Sequence, residues 1–235
     1  MISINGSVRN NWFADSSASG HGVTQFGGVT QSNEGSGVVA ASFIGNGKRL
    51  IVNDPLNNFN YLTGAFTIEA FINVSAFYGG IVAGAGIFGT TLNGQNGYVF
   101  QIGQSAIKCR ITSVANAGSW TDNITATNGA TLNTWVHLAF VRNSANITIY
   151  RNGISVATSP LASAYSFAAN GSKIGTIGTW SDGSSSYYTD FKMAGLRVTN
   201  TAVYTVPFTA PSTLPTAITG TQLLMNFGGT AAPTV

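Results

Sequence analysis

Apolar side chains in this chain fall in short alternating runs rather than at helical spacing. In Thr67–Val74 (TIEAFINV), Ile68, Ala70, Ile72 and Val74 share one face, and Thr67, Glu69, Phe71 and Asn73 share the other. A period of two is the signature of a strand. In Ala106–Thr112, Ile107, Cys109 and Ile111 alternate with Lys108, Arg110 and Thr112, which predicts a half-buried strand with one wet face. Trp135–Val141 is apolar on both faces apart from His137, the pattern of an inner strand covered on both sides. The chain then turns at Asn143–Asn146, alternates Ile147 and Ile149 with Thr148 and Tyr150, turns at Asn152-Gly153 and returns through Ile154–Ala157. Asn-Gly signals a two-residue hairpin because both residues tolerate positive φ. Three antiparallel strands therefore account for Asn133–Thr158, and no residue in it needs a catalytic explanation.

The tail breaks this pattern. Thr205–Pro215 (TVPFTAPSTLP) carries three of the six prolines, and proline cannot donate to a β-ladder. Residues 205–221 are expected to form an extended crossing segment, followed by a short apolar strand, Gln222–Phe227. Helix signals are nearly absent, 29 glycines punctuate the chain, and β patterning runs from start to finish. The expectation is an all-β chain forming one domain over residues 1–235.

Composition narrows the surroundings. Charged residues are 7% of the chain and hydrophobic ones 44%, so the core is ample, and disorder, which needs low hydrophobicity, is excluded. The longest apolar run, Gly79–Gly89, is too short and too glycine-rich to span a bilayer, which takes about 20 residues. Asn, Ser and Thr supply roughly three residues in ten, well above ordinary usage. Such a surface suits a sugar-binding face or a face buried against other subunits, where charge is costly to desolvate. Net charge is +3 with Lys48-Arg49 the one adjacent basic pair, so the clustered stripe that nucleic-acid binding needs is missing. One cysteine, Cys109, excludes an internal disulfide. The N-terminus MISINGSVRNNWF lacks the charged start and apolar core of a signal peptide, so classical secretion is not expected.

Four stretches in order resemble the concanavalin A-like lectin/glucanase superfamily in its laminin-G-like form: Phe43–Val52 (FIGNGKRLIV) with Gly64–Val74 (GAFTIEAFINV), Asn133–Val156, and Leu196–Phe227. The opening DSSASGHGVTQFGGVTQS also resembles the family's first segment. The ending, LRV…AVYT…FT.P…AITGTQLL, is similar to domains of tailed-bacteriophage structural proteins. The resemblance implies a jelly-roll β-sandwich of two antiparallel sheets, one of them concave. It implies no single function, because this fold hosts enzymes, lectins and structural modules.

Glycosidases on this fold place two or three carboxylates at alternate positions of one strand, since one acid and one nucleophile or base must face the same bond. The seven acids here are Asp15, Glu34, Asp54, Glu69, Asp122, Asp182 and Asp190. No two are close in sequence; Glu69 sits on a strand, but its same-face neighbours are Thr67, Phe71 and Asn73. Only a pair brought together from distant strands would serve. Cys109 reads as a small core hydrophobe between Ile107 and Ile111. His137 lacks a local nucleophile and reads as a sheet histidine with satisfied hydrogen bonds. His21, in a Ser/Gly-rich loop, is expected to face solvent. Gly84–Gly89 (GAGIFG) matches the dinucleotide fingerprint by letter, but TTLNGQNG follows in place of a helix. No catalytic residue is expected, and the chain does not read as an enzyme.

Many laminin-G-like domains hold calcium at the rim. Asp182 and Asp190 flank one loop and are the weak metal candidates, but acids are missing where the family commonly has them, at Ile44, Lys48 and Ala194-Gly195. No cofactor is expected otherwise. Sugar recognition needs an aromatic face with amides, hydroxyls or acids beside it. Two loop-like stretches offer this: SWTDN, with Trp120, Asp122 and Asn123, and TWSDGSSSYY, with Trp180, Asp182, Tyr187 and Tyr188. The resulting expectation is a non-enzymatic phage virion protein, an exterior capsid decoration or accessory subunit. It would contact other capsid or tail proteins and copies of itself, with neither nucleic acid nor membrane as partner. The rival is a tail-fibre or tail-associated adhesin for a host surface glycan, and the third a glycan hydrolase working through Glu69.

Overall fold

The computed structural model describes residues 13–61, 64–77, 85–90, 97–112, 120–127, 129–143, 146–160, 173–179 and 189–235. The described strands, in chain order, are β1 (Val23–Phe26), β2 (Thr30–Gly35), β3 (Val38–Phe43), β4 (Arg49–Asn53), β5 (Phe66–Phe77), β6 (Ala85–Gly89), β7 (Gly97–Ile102), β8 (Ala106–Thr112), β9 (Trp120–Thr127), β10 (Trp135–Arg142), β11 (Asn146–Arg151), β12 (Ile154–Pro160), β13 (Ile174–Ile177), β14 (Thr189–Thr199) and β15 (Thr221–Met225). They form two antiparallel sheets. One has seven strands in the order β1-β4-β13-β6-β7-β8-β9; the other has eight, β12-β11-β10-β5-β14-β3-β2 with β15 also on β14. This is the jelly-roll sandwich. No described helix is long and apolar enough to cross a membrane.

The alternating faces sort as the sequence pattern requires. Ile68, Ala70, Ile72 and Val74 of β5 point between the sheets with Val136, Leu138 and Phe140 of β10, and meet Phe100, Ile107, Cys109 and Ile111 of the opposite sheet. Each fully buried aromatic or aliphatic side chain there contributes about 1.5–3 kcal/mol. Phe100 and Phe140 bridge the sheets with ring centroids 4.5 Å apart. Asn152 and Gly153 take φ of 50° and 80°, the left-handed pair that a two-residue hairpin demands.

One expectation about a wet face is corrected in part: on β8 Lys108 is partly exposed, but Arg110 is 7% exposed. β10 is covered on both faces, as its apolar run predicts, and so is β5 beside it; the cover on the second face is the C-terminal crossing segment. Residues 200–220 contain no strand because their prolines remove ladder donors. They lie as a strap across the outside of the eight-stranded sheet. Ala202, Tyr204 and Phe208 pack on Ala139, Val141 and Tyr150, while Leu214 packs on Ala40, Phe71 and Ala194. Hydrogen bonds fasten the strap: Thr67 Oγ1 donates to Thr201 O (2.8 Å) and accepts from Val203 N (2.9 Å), and Phe208 N donates to Gly153 O (2.9 Å). GAGIFG ends within β6, a strand, which removes the dinucleotide reading.

Candidate functional site

Two buried polar clusters stand out, and both use acids far apart in sequence. The first lies under the strap. Glu69 and Arg197 are cross-strand partners on β5 and β14. Arg197 Nε donates to Glu69 Oε1 (2.8 Å), with Nη2 on the same oxygen. The other carboxylate oxygen accepts from Tyr204 OH (2.8 Å) and lies 3.1 Å from His137 Nε2. Arg197 Nη1 donates to Thr216 O (2.9 Å). Burial alone would raise the Glu69 pKa, but the His137 hydrogen bond, the Arg197 charge and the Tyr204 hydroxyl outweigh it and leave it lowered. Burial and the Glu69 charge push the Tyr204 phenol up. Glu69 is thus an ionised structural anchor with both oxygens occupied. Either carboxyl role in glycoside hydrolysis, acid or nucleophile, needs a side chain open to substrate, whereas Glu69 is 2% exposed with both oxygens engaged. His137 is held on Nε2, while its buried Nδ1 has no hydrogen-bond partner among the described residues. The expectation of a fully satisfied sheet histidine is corrected to that extent.

The second cluster surrounds His21, which is 7% exposed and not in solvent as its Ser/Gly setting suggested. Its Nδ1 lies 2.7 Å from Asp15 Oδ2, and its Nε2 lies 3.5 Å from Asp54 Oδ1. The ring stacks on Phe59 at a centroid distance of 5.0 Å. Burial alone would lower the His21 pKa, but the hydrogen bonds and charges of the two carboxylates raise it to about 9. The same ties overcome burial at Asp15, assisted by the amides of Leu224, His21 and Ser17, and hold it at about 2. Asp54 is lowered likewise by His21 and by the Phe59 and Asn58 amides. A charged imidazolium therefore fills the space between two carboxylates. The cluster joins the first described segment, the loop after β4 and β15, since Asp15 Oδ1 accepts from Leu224 N (3.0 Å).

So a pair of acids is brought together from distant segments, yet neither is free to act on substrate. Glu34 and Asp190 are engaged too: Glu34 pairs with Lys192 (2.7 Å), and Asp190 Oδ1 accepts from Gly45 N (2.7 Å). Among the described residues no group of three or more His, Cys, Asp or Glu side chains is arranged to hold a metal ion. Cys109 is fully buried between the sheets, as expected of a core residue.

Of the sequence-predicted sugar residues, Trp120, Asp122 and Asn123 lie on β9, an outer strand of the seven-stranded sheet. Trp120 and Asp122 pair with Thr112 and Arg110, so this stretch is a strand and not a loop. Trp180, Asp182, Tyr187 and Tyr188 lie outside the described residues. The His21 cluster is the part that sequence reasoning missed. Asp15 precedes His21 by six residues, a hint of a local tie, but Asp54 and Leu224 carry no sequence signal linking them to it.

No curated protein sequence matches the chain. Solved structures do match in fold. Botulinum neurotoxin type C, which depends on interaction with two ganglioside molecules to enter cells, superposes with a TM-score of 0.62 at 17% identity, covering 83% of this chain and 47% of that one. The binding domain of botulinum neurotoxin DC, in complex with rat synaptotagmin II, gives 0.59 at 15%, covering 81% and 46%. The serotype C1 binding domain gives 0.60 at 17%, covering 83% and 48%. The chain therefore spans about half the length of these structures, and the likeness is one of fold. The laminin-G model of the concanavalin A-like lectin/glucanase superfamily matches residues 45–204, more than half of the chain. With two antiparallel sheets closing a lectin-like sandwich around that span, this chain belongs to the concanavalin A-like lectin/glucanase superfamily as a laminin-G-type member.

Proposed function

We propose that the chain is a non-enzymatic, lectin-like subunit on the exterior of a tailed-phage particle, a capsid decoration or accessory surface protein present in many copies. The observation that carries the non-enzymatic part is the state of the acids. Asp15, Asp54, Glu34, Glu69 and Asp190 each already hold a protein partner. Two carboxylates facing an open groove, which glycoside hydrolysis needs, are not found among them. The virion setting is supported by the resemblance of the Leu196–Phe227 ending to phage structural domains. A chain with only 7% charged residues also suits a surface that docks on other subunits. Quantitative mass spectrometry of purified particles tests this reading. A copy number in the hundreds fits the head, and single or low double digits would overturn it in favour of the tail.

A second reading, a tail-associated adhesin for a host glycan, is favoured by the company the fold keeps. Relatives in shape include toxin domains described with gangliosides and with a protein receptor. On that reading glycan binding falls sharply in Trp180→Ala.

A further inference from the structure

Beside His21 the surface opens into a hollow of about 140 Å³, lined by Ser19, Gly20, Gly22, Asn53, Leu56 and Asn58, and by His21 and Pro55. The geometry points to this hollow as a subsite for one neutral sugar ring, with Asn53 and Asn58 supplying hydrogen bonds and Leu56 the apolar contact. The inference rests on the glycan-binding reading and moves its site away from the tryptophan stretches.

Size comes first. Drug-sized ligands fill about 300–1,000 Å³, so this hollow admits a single ring or its hydroxyl edge. Charge then selects the ligand. His21 carries one positive charge between two negative ones, which disfavours an anion. A chelated cation has nowhere to bind, because Asp54 Oδ1 already accepts from Asn58 N (2.7 Å) and Oδ2 from Phe59 N (2.9 Å). Asp15 is likewise occupied on both oxygens. Lys173, the nearby cation, donates to Pro55 O (3.4 Å). A neutral polar ligand remains.

The walls suit hydroxyl groups. The Asn58 side-chain amide lies 3.4 Å from Ser19 Oγ and 3.3 Å from His21 Nε2, while the side-chain amide of Asn53 has no hydrogen-bond partner among the described residues. An amide offers donors and acceptors together, matching an OH that does both. Gly20 and Gly22 keep the floor open: a Cβ on Gly20 would meet nothing within 4 Å, and one on Gly22 would touch the Asn53 amide at 3.5 Å. Leu56 stands at the mouth 76% exposed, an apolar surface suited to the CH face of a ring. The ion-paired His21 stacked on Phe59 fixes these walls before any ligand arrives, which lowers the ordering cost of binding.

An amide ¹H–¹⁵N titration of the whole chain with D-galactose, D-glucose, D-mannose and N-acetylglucosamine, each to tens of millimolar, tests this, with glycerol as control. The expected result is a saturable shift for at least one sugar centred on Gly20, Gly22, Asn53, Leu56 and Asn58. Asn53→Ala and Leu56→Asp should weaken it by about tenfold. Both side chains are exposed, so neither variant endangers the fold. An equal response to glycerol, or sugar-dependent shifts confined to the Trp120 or Trp180 stretches, overturns the subsite; the latter leaves glycan binding standing. No shift with any sugar overturns the subsite, and an unresponsive glycan array would then remove the glycan-binding reading as well.

Discussion

Glu69 and Arg197, 128 residues apart in the chain, face each other directly across β5 and β14 and form a buried ion pair. Each side chain is less than 10% exposed, so removing one leaves the other charged without its partner. Such a loss costs about 3–5 kcal/mol. Arg197→Met and Glu69→Gln should each lower the urea midpoint accordingly. The double variant should lose less than the sum, because it buries no orphan charge. Additive losses in the urea series would show that the two groups do not couple.

The His21 clamp predicts a pH window for stability. A histidine raised from 6.5 to about 9 on folding contributes fully below pH 6.5, and its contribution disappears as pH rises through about 9. Asp15, lowered from 3.8 to about 2, contributes above pH 3.8 and loses its share as pH falls toward 2. The two shifts describe one interaction and are not summed. Stability should therefore plateau between these limits, with about 3 kcal/mol lost on the alkaline side. Melting temperature followed from pH 5 to 10 checks this against His21→Gln, whose alkaline limb should be flatter. Parallel curves for the two proteins would remove His21 as the cause.

Much of the sandwich was legible because a strand writes its burial into every second residue. Ile68, Ala70, Ile72 and Val74 point inward for that reason, and Asn152-Gly153 turns where its backbone freedom says it should. The prolines of 207–215 marked an irregular segment equally well. Where that segment would lie was not legible. Phe71 and Glu69 read as the second face of a strand, and nothing local says that Leu214 and Tyr204 will cover them. The candidate site was harder still. A histidine among serines and glycines reads as exposed, and His21 becomes buried only because Asp54 and the β15 backbone arrive from elsewhere in the chain. Charge pairing between distant segments has no period, so alternation cannot reveal it.

The hairpin and the strap are coupled at Gly153. Its φ is 80°, and a Cβ built there would collide with the Phe208 carbonyl. Gly28, with φ of 71°, has nothing within 4 Å of the same atom. Left-handed backbone costs a non-glycine residue about 1–2 kcal/mol. Gly28→Ala should lose about that much. Gly153→Ala should lose more and expose residues 202–216 to limited proteolysis. Equal losses, with the strap still protected, would mean that the contact with Phe208 yields without cost.

Cys109 supplies a reporter for the whole sandwich. Its side chain has no exposure and lies on β8 between Phe100 of β7 and Ile124 of β9. A thiol must reach solvent to react, and no local opening short of separating the sheets brings this one out. Labelling by a thiol reagent should thus be negligible in the native protein, and its rate in rising urea should follow global unfolding with the same slope as circular dichroism. Cys109→Ser places a hydroxyl among apolar side chains and should cost about 1–3 kcal/mol, more than Cys109→Ala. Fast labelling without denaturant would show that β8 and β9 part more easily than the rest of the sheet, and that this outer strand opens as a unit of its own.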